Sequence, residues 1–368
     1  MPSARRIYVG SYTDAVYTLE FHPSPADSDS PTLSLLGKTQ VGSGPSWIAR
    51  HPSDKSLVFA VLEQENGEIA VIKYGDEAEG VVVARARSGG SDPCSLLATE
   101  DELLIANYSS GTFATLPIST EPPFVLTPKP WTLSFPFERP GPNKSRQACS
   151  HPHQTIFNTV DTTSAEKELL IPDLGADKIW RLKKGGDGHW TIYGYVQCES
   201  GGGPRHIATC GKTLYTLLEL TSQISVHPFP PIDTCPPQKS LSTLQTPPPT
   251  PHSMTTAEIL LPETNATFPD PYIYVSNRDD PSPEGDTIAI FSLANGETEP
   301  ELVTEVRTGL KHLRGMYFGG EDNKWLIAGG VEGGGVKVFE RVLGGKDLRV
   351  VASLGADVVP RPASFLWA

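Results

Sequence analysis

Side chains able to bind and transform an anion recur at one kind of position in this sequence. His151, His153, Arg205, His206, Arg278, His312, Arg314 and Arg361 each stand at one end of a short apolar run, as do Glu63, Asn107, Tyr108, Asp173, Glu219 and Asn277. A guanidinium holds carboxylate or phosphate oxygens through a planar fork of donors. An imidazole or a carboxylate beside the same ligand can carry a proton to or from it. The chain around these groups has a net charge of −13. A basic cluster on such a body would draw in and orient a small anion, whereas nucleic acid and anionic membrane surfaces would be repelled at long range.

Other chemistries find little support. His151-Pro152-His153 with Cys149 upstream could supply metal ligands, but a site needs three or four converging donors and no HExxH spacing is present. The site is expected to use neither metal nor cofactor. Gly201-Gly202-Gly203 and Gly333-Gly334-Gly335 open no strand-to-helix transition, so they read as turns and not as phosphate loops. There is no Gly-x-Ser-x-Gly elbow. The five cysteines include no CxxC pair, which suits reduced thiols better than a disulfide framework. The start, MPSARRIYVGSY, has no apolar h-region, and no run reaches the eighteen or so apolar residues of a membrane helix. A soluble, cytoplasmic protein is expected.

The elements that must position these residues repeat. Seven apolar strands each precede a second strand of alternating pattern: IYVGSY (7–12) with AVYTLEF, LVFAVLE (57–63) with EIAVIKY, LLIANYS (103–109) with TFATLPI, LLIPDLG (169–175) with DKIWRLK, LYTLLEL (214–220) with QISVHPF, IYVSNRD (273–279) with TIAIFSL, and WLIAGGV (325–331) with GVKVFER. Successive pairs begin 45 to 66 residues apart, the repeat of a propeller blade. Six pairs have a further strand upstream: SWIAR, CSLLAT, HQTIFN, RHIATC, AEILLP and RGMYFG. The first pair has none, but ASFLWA (363–368) is left over at the other end. An all-β, seven-bladed propeller follows, one domain over residues 1–368, closed by N- and C-terminal strands pairing in one blade. Outer strands are expected at SLLGKTQV, GVVVARAR, HWTIYGYV, LVTEVRT and LRVVASL. Residues 119–150 and 228–256 are too proline-rich for a central strand and are expected to be loops from the third and fifth blades, either surface insertions or a lid.

In an antiparallel blade the start of the innermost strand lies beside the end of the second. Both should face one mouth of the ring, where the polar residues named at the outset would meet.

At these residues the chain resembles the seven-bladed propeller lactonases, which include 6-phosphogluconolactonases and carboxy-muconate lactonizing enzymes. The likeness runs through SHPHQTIFN and LLIPDLGADKIWRL, GGGPRHIATCGKTLYTLLEL, and YIYVSNRDDPSPEGDTIAIFSL. It implies a metal-free site in the central channel, with His153, Arg205, Glu219 and Arg278 as the catalytic set. The chain departs from the family in its two proline-rich insertions and in the acidic stretch after Arg278.

The leading expectation is hydrolysis of a small anionic lactone, with Glu219 or His153 as base and Arg205 and Arg278 stabilising charge. His151, His206, Asn107, Tyr108, Asp173, Asn277, His312 and Arg314 would line the substrate. Alanine at any of the four catalytic positions is expected to lower turnover with little loss of thermal stability. A second reading runs the chemistry the other way, closing a muconate-type dicarboxylate to a lactone. A third is a non-catalytic scaffold, although the Trp-Asp and Gly-His signatures of such repeats are missing. Oligomeric state is not legible.

Overall fold

The computed structural model describes residues 4–23, 30–159, 167–228, 239–247 and 253–368. Among them are seven four-stranded antiparallel sheets. Blade 1 takes its second to fourth strands from the N-terminus, and blades 2 to 7 follow in chain order from Trp47 to Leu354.

The innermost strand of blade 1 is Pro362–Trp367, which pairs antiparallel with Arg5–Ser11 through Ile7 opposite Trp367, Val9 opposite Phe365 and Gly10 opposite Ser364. Gly10 is required there, since a Cβ would stand 2.4 Å from Ser364 Oγ and 2.6 Å from the Pro45 carbonyl. The leftover C-terminal strand thus closes the ring.

Each blade is covered on both faces by its neighbours, so its second strand is buried along most or all of its length. Leu57–Leu62, Glu168–Asp173, Thr213–Leu218 and Tyr272–Arg278 are buried throughout, which is why they read as apolar runs. The apolar clusters lie between blades and not within them. Leu57, Phe59 and Val61 of blade 2 pack on Leu103 and Ile105 of blade 3, and Ile7, Val9 and Phe365 of blade 1 pack on Trp325 and Ile327 of blade 7. The last contact joins the first repeat to the seventh. Phe365→Ala should therefore cost about 3–5 kcal/mol, the usual range for deleting a buried phenylalanine, measured by urea unfolding. A loss below about 1 kcal/mol would mean that this strand does not close the ring.

The outer strands appear where expected, and two more lie inside the proline-rich insertions. Trp131–Ser134 edges blade 3 and Lys239–Ser242 edges blade 5. These stretches are thus part loop and part edge strand. An edge strand needs a ladder on one side only and tolerates proline nearby. Of the second insertion, residues 229–238 and 248–252 lie outside the described residues.

Candidate active site

Four innermost strands begin shortly after a residue in the left-handed conformation, Gly44, Asp92, Gly203 or Arg361, and His312 takes that conformation at an irregularity just inside Lys311–Gly319. At Gly203 a Cβ would meet Leu220 Cγ at 2.6 Å. Its carbonyl receives the Glu219 amide at 2.9 Å, and Gly202 receives that of Leu220 at 3.0 Å. The glycine stretch is thus a brace that fixes a short 3₁₀ turn, Glu219–Thr221, at the end of strand Thr213–Leu218. That turn aims Glu219 inward.

Glu219 is fully buried and is met by three guanidiniums. Its Oε2 lies 2.6 Å from Arg205 Nη1; its Oε1 lies 2.6 Å from Arg146 Nη2 and 3.0 Å from Arg278 Nη2. Arg205 also donates through Nε to the Ala257 carbonyl at 2.8 Å and through Nη1 to His153 Nε2 at 2.6 Å. Arg278 donates through Nε to Thr255 Oγ1 at 3.1 Å. An arginine can only donate, so His153 Nε2 is the acceptor and the ring proton sits on Nδ1.

Burial would raise the Glu219 pKa, but Arg278, Arg205 and Arg146 together hold it well below the usual carboxylate range. Burial pushes His153 down, and the charges of Arg205 and Arg314 add to this, so the ring stays neutral well below its ordinary 6.5. Arg278 is pushed down to about 10, by burial first and then by Arg205 and Arg314, against the favourable pull of Glu219.

A second tier surrounds this hub. Arg314 pairs with Glu63 at 3.5 Å and lies over the Tyr12 ring, whose hydroxyl donates to the same Glu63 oxygen at 2.9 Å. Arg361 also lies over Tyr12. His312 donates through Nδ1 to Asp279 at 2.8 Å and has its Nε2 3.4 Å from Arg278. His151 stacks on Tyr108, which meets His153 edge-on.

Other expected ligand residues direct their polar atoms elsewhere. Asp173 accepts from Ser150 Oγ, the His151 amide, the Gly175 and Ala176 amides and the Trp180 indole, all within 3.1 Å. Asn107 donates to Ser88 and Thr112, and Asn277 to Thr243 and Thr287. All three fasten blade turns; Asp173 and Asn277 have little left for a ligand, whereas the buried Asn107 Oδ1 has no partner among the described residues. His206 donates to Glu258 at 2.7 Å and meets the edge of Trp47, leaving the neighbouring Arg205 to reach the hub.

Glu63 is among the strand-end residues expected at this mouth but without an assigned role, and two further contributors, Tyr12 and Arg146, are not among the expected residues. Tyr12 closes a second strand, so the strand-end rule that picked Glu63 and Glu219 would also have found it. Arg146 has no such register, because it belongs to the loop of the first insertion. Among the described residues, Asp279, His312 and Glu332 bring donor atoms within 4.8 Å of one another. The Arg278 guanidinium beside His312 is a poor neighbour for a cation, and no step is assigned to a metal here.

A cavity of about 960 Å³ lies farther along the ring axis, lined by later parts of the innermost strands such as Arg50, Ile207, Glu258 and Tyr317. The charged hub lies at the strand starts, toward the other mouth. Among the described residues, no helix is long and apolar enough to cross a membrane.

Residues 6–364 match the family described as "Lactonase, 7-bladed beta-propeller". Similar proteins include one from Arthroderma benhamiae named "Probable 6-phosphogluconolactonase", 26% identical over 90% of this chain and 81% of that one. Among solved structures, the periplasmic gluconolactonase of Pseudomonas aeruginosa superposes with a TM-score of 0.76 at 18% identity, covering 100% of this chain and 99% of that one. A protein from Lactobacillus plantarum gives 0.77 at 19% identity over 100% of both. At such identities the structures speak for the fold alone, but the family match spans nearly all of the sequence: the chain belongs to the seven-bladed β-propeller lactonases.

Proposed function

We propose that the chain hydrolyses a small anionic lactone at the Glu219 hub. One observation carries this reading. Four guanidiniums (Arg146, Arg205, Arg278 and Arg314) surround two carboxylates, Glu219 and Glu63, in a chain whose net charge is −13. Such a surplus of positive charge, buried but for Arg146, is costly unless an anion completes it.

In this reading the reaction uses the atoms of the hub as follows. The lactone carbonyl takes the Arg205 Nη1 donor, which releases the lone pair of His153 Nε2. Water attacks the carbonyl carbon as its proton passes to Nε2. Arg205, in a site shielded from solvent, then stabilises the tetrahedral oxyanion. Collapse breaks the ring C–O bond, and the imidazolium returns its proton to the leaving alkoxide, giving a hydroxy acid. Glu219 is the wrong group for the base, since both oxygens are committed to arginines and its proton affinity is low. Its task is to hold the guanidiniums in place.

A phosphorylated aldonolactone should be opened with a kcat/KM at least ~10-fold above that of its uncharged counterpart, as one charge-assisted contact is worth. Acid release followed at constant pH measures both. Loss of ultraviolet absorbance from a carboxy-muconate, without hydrolysis of either lactone, would assign the reverse, ring-closing reaction. No turnover of any of the three would leave the scaffold reading.

A further inference from the structure

Arg146 differs from the other two guanidiniums on Glu219. Arg205 and Arg278 stand on blade strands, are 3% and 5% exposed, and are each tied by Nε to a second anchor, Ala257 or Thr255. Arg146 stands on the blade 3 insertion, is 38% exposed, and its guanidinium contacts Glu219 and, at 3.3 Å, the Tyr108 hydroxyl. The backbone beneath it is fixed. Buried Gln147 donates to Asp177 at 2.7 Å and to the Leu174 carbonyl at 3.0 Å, and Asp177 also accepts the Gly201 and Gly203 amides. The loop base is pinned to the turns that brace Glu219, while the guanidinium at its tip has no other tie among the described residues.

The inner groups are sealed. Glu219, Arg205, Arg278 and His153 are all at least 95% buried, so of the three arginines on Glu219 only Arg146 is open to an entering anion. We infer that Arg146 is the specificity residue of this site, exchanging its bond to Glu219 for the phosphate or carboxylate of the incoming substrate and so opening the hub only to an anionic ligand. The exchange conserves charge pairing for the arginine. It also frees Glu219 Oε1 from one of its two partners. An uncharged lactone offers Arg146 no such trade and must enter against an intact ion pair.

This inference rests on the lactonase reading, so its test uses two readouts. In the first, wild type, Arg146→Gln and Arg146→Lys are compared on a phosphorylated aldonolactone and its uncharged counterpart. Arg146→Gln should shrink the ratio of the two kcat/KM values by about 10- to 100-fold, mainly through KM for the charged lactone, and Arg146→Lys should restore part of it. A ratio unchanged while both substrates suffer alike would make Arg146 merely structural and overturn the inference. The second readout needs no turnover: inorganic phosphate should raise the melting temperature of wild type and not that of Arg146→Gln. Equal stabilisation of both, or of neither, overturns the inference, whereas a split response without turnover of any lactone keeps the anion contact and removes the lactonase reading. Succinate in place of phosphate decides whether the anion is a carboxylate.

Discussion

Glu219→Gln should lower kcat/KM by about a thousandfold and also destabilise the fold by about 3–5 kcal/mol, the cost of leaving buried charge without its partner. The substitution keeps shape and volume, so the loss is electrostatic and not that of a cavity. Arg205, Arg278 and Arg146 all meet this carboxylate, and two of them are almost wholly buried. This departs from the expectation that catalytic substitutions would spare stability. The dependence on pH has a definite sign. The Glu219 pKa lies below its ordinary 4.5 in the fold, so its contribution is fully present above pH 4.5 and is lost as pH falls through the lowered value. The variant should therefore show the shallower acid destabilisation. Adding Arg278→Met should return part of the lost stability, because one uncompensated cation is removed and the two sites are coupled. Urea unfolding of the two single variants and the double variant, at pH 7 and below pH 4.5, measures this. A Glu219→Gln protein within about 0.5 kcal/mol of wild type would show that the carboxylate is not the hub that holds the arginines.

The arrangement of blades was legible because the physics of a ring writes itself into the chain. Strands covered on both faces must be apolar throughout, so LVFAVL and LLIPD stood out as runs, and the unpaired ASFLWA had one place to go. Trp131–Ser134 and Lys239–Ser242 did not stand out. They are short, partly exposed edges, and burial demands little of their sequence.

The site was legible to the level of strand ends and no further. Successive residues of a strand point to opposite sides. Asn277 and Arg278 are equally polar neighbours, yet one fastens Thr243 and Thr287 while the other reaches Glu219. Arg205 and His206 divide in the same way, between the hub and Glu258. Composition cannot tell such partners apart, because the choice depends on where the turn leaves the strand. Arg146 was hidden for another reason: a loop has no register, so nothing in PFERPGPNKSRQ marks which basic residue comes back over the ring. What betrays it in three dimensions is the Gln147 anchor one residue on.

His153→Gln tests the chemical step itself. Glutamine can still accept the Arg205 Nη1 bond through its amide oxygen, so the hub should stay assembled and the melting temperature close to that of wild type. It cannot take and return a proton, and kcat should fall by about 10²- to 10⁴-fold, the usual range for losing a general base. The pH profile separates this from a packing defect. The base must be neutral to act, and burial, helped by Arg205 and Arg314, keeps His153 neutral well below pH 6.5. Wild-type kcat/KM should stay level as pH drops through 6.5 and decline only at the lower value, a displacement set first by burial of the ring and then by the Arg205 guanidinium 2.6 Å away. In the variant this acid limb should vanish from the residual activity. An unchanged limb in His153→Gln would move the base to another group, and a wild-type limb centred at 6.5 would mean that the imidazole is not held buried beside the guanidinium during turnover.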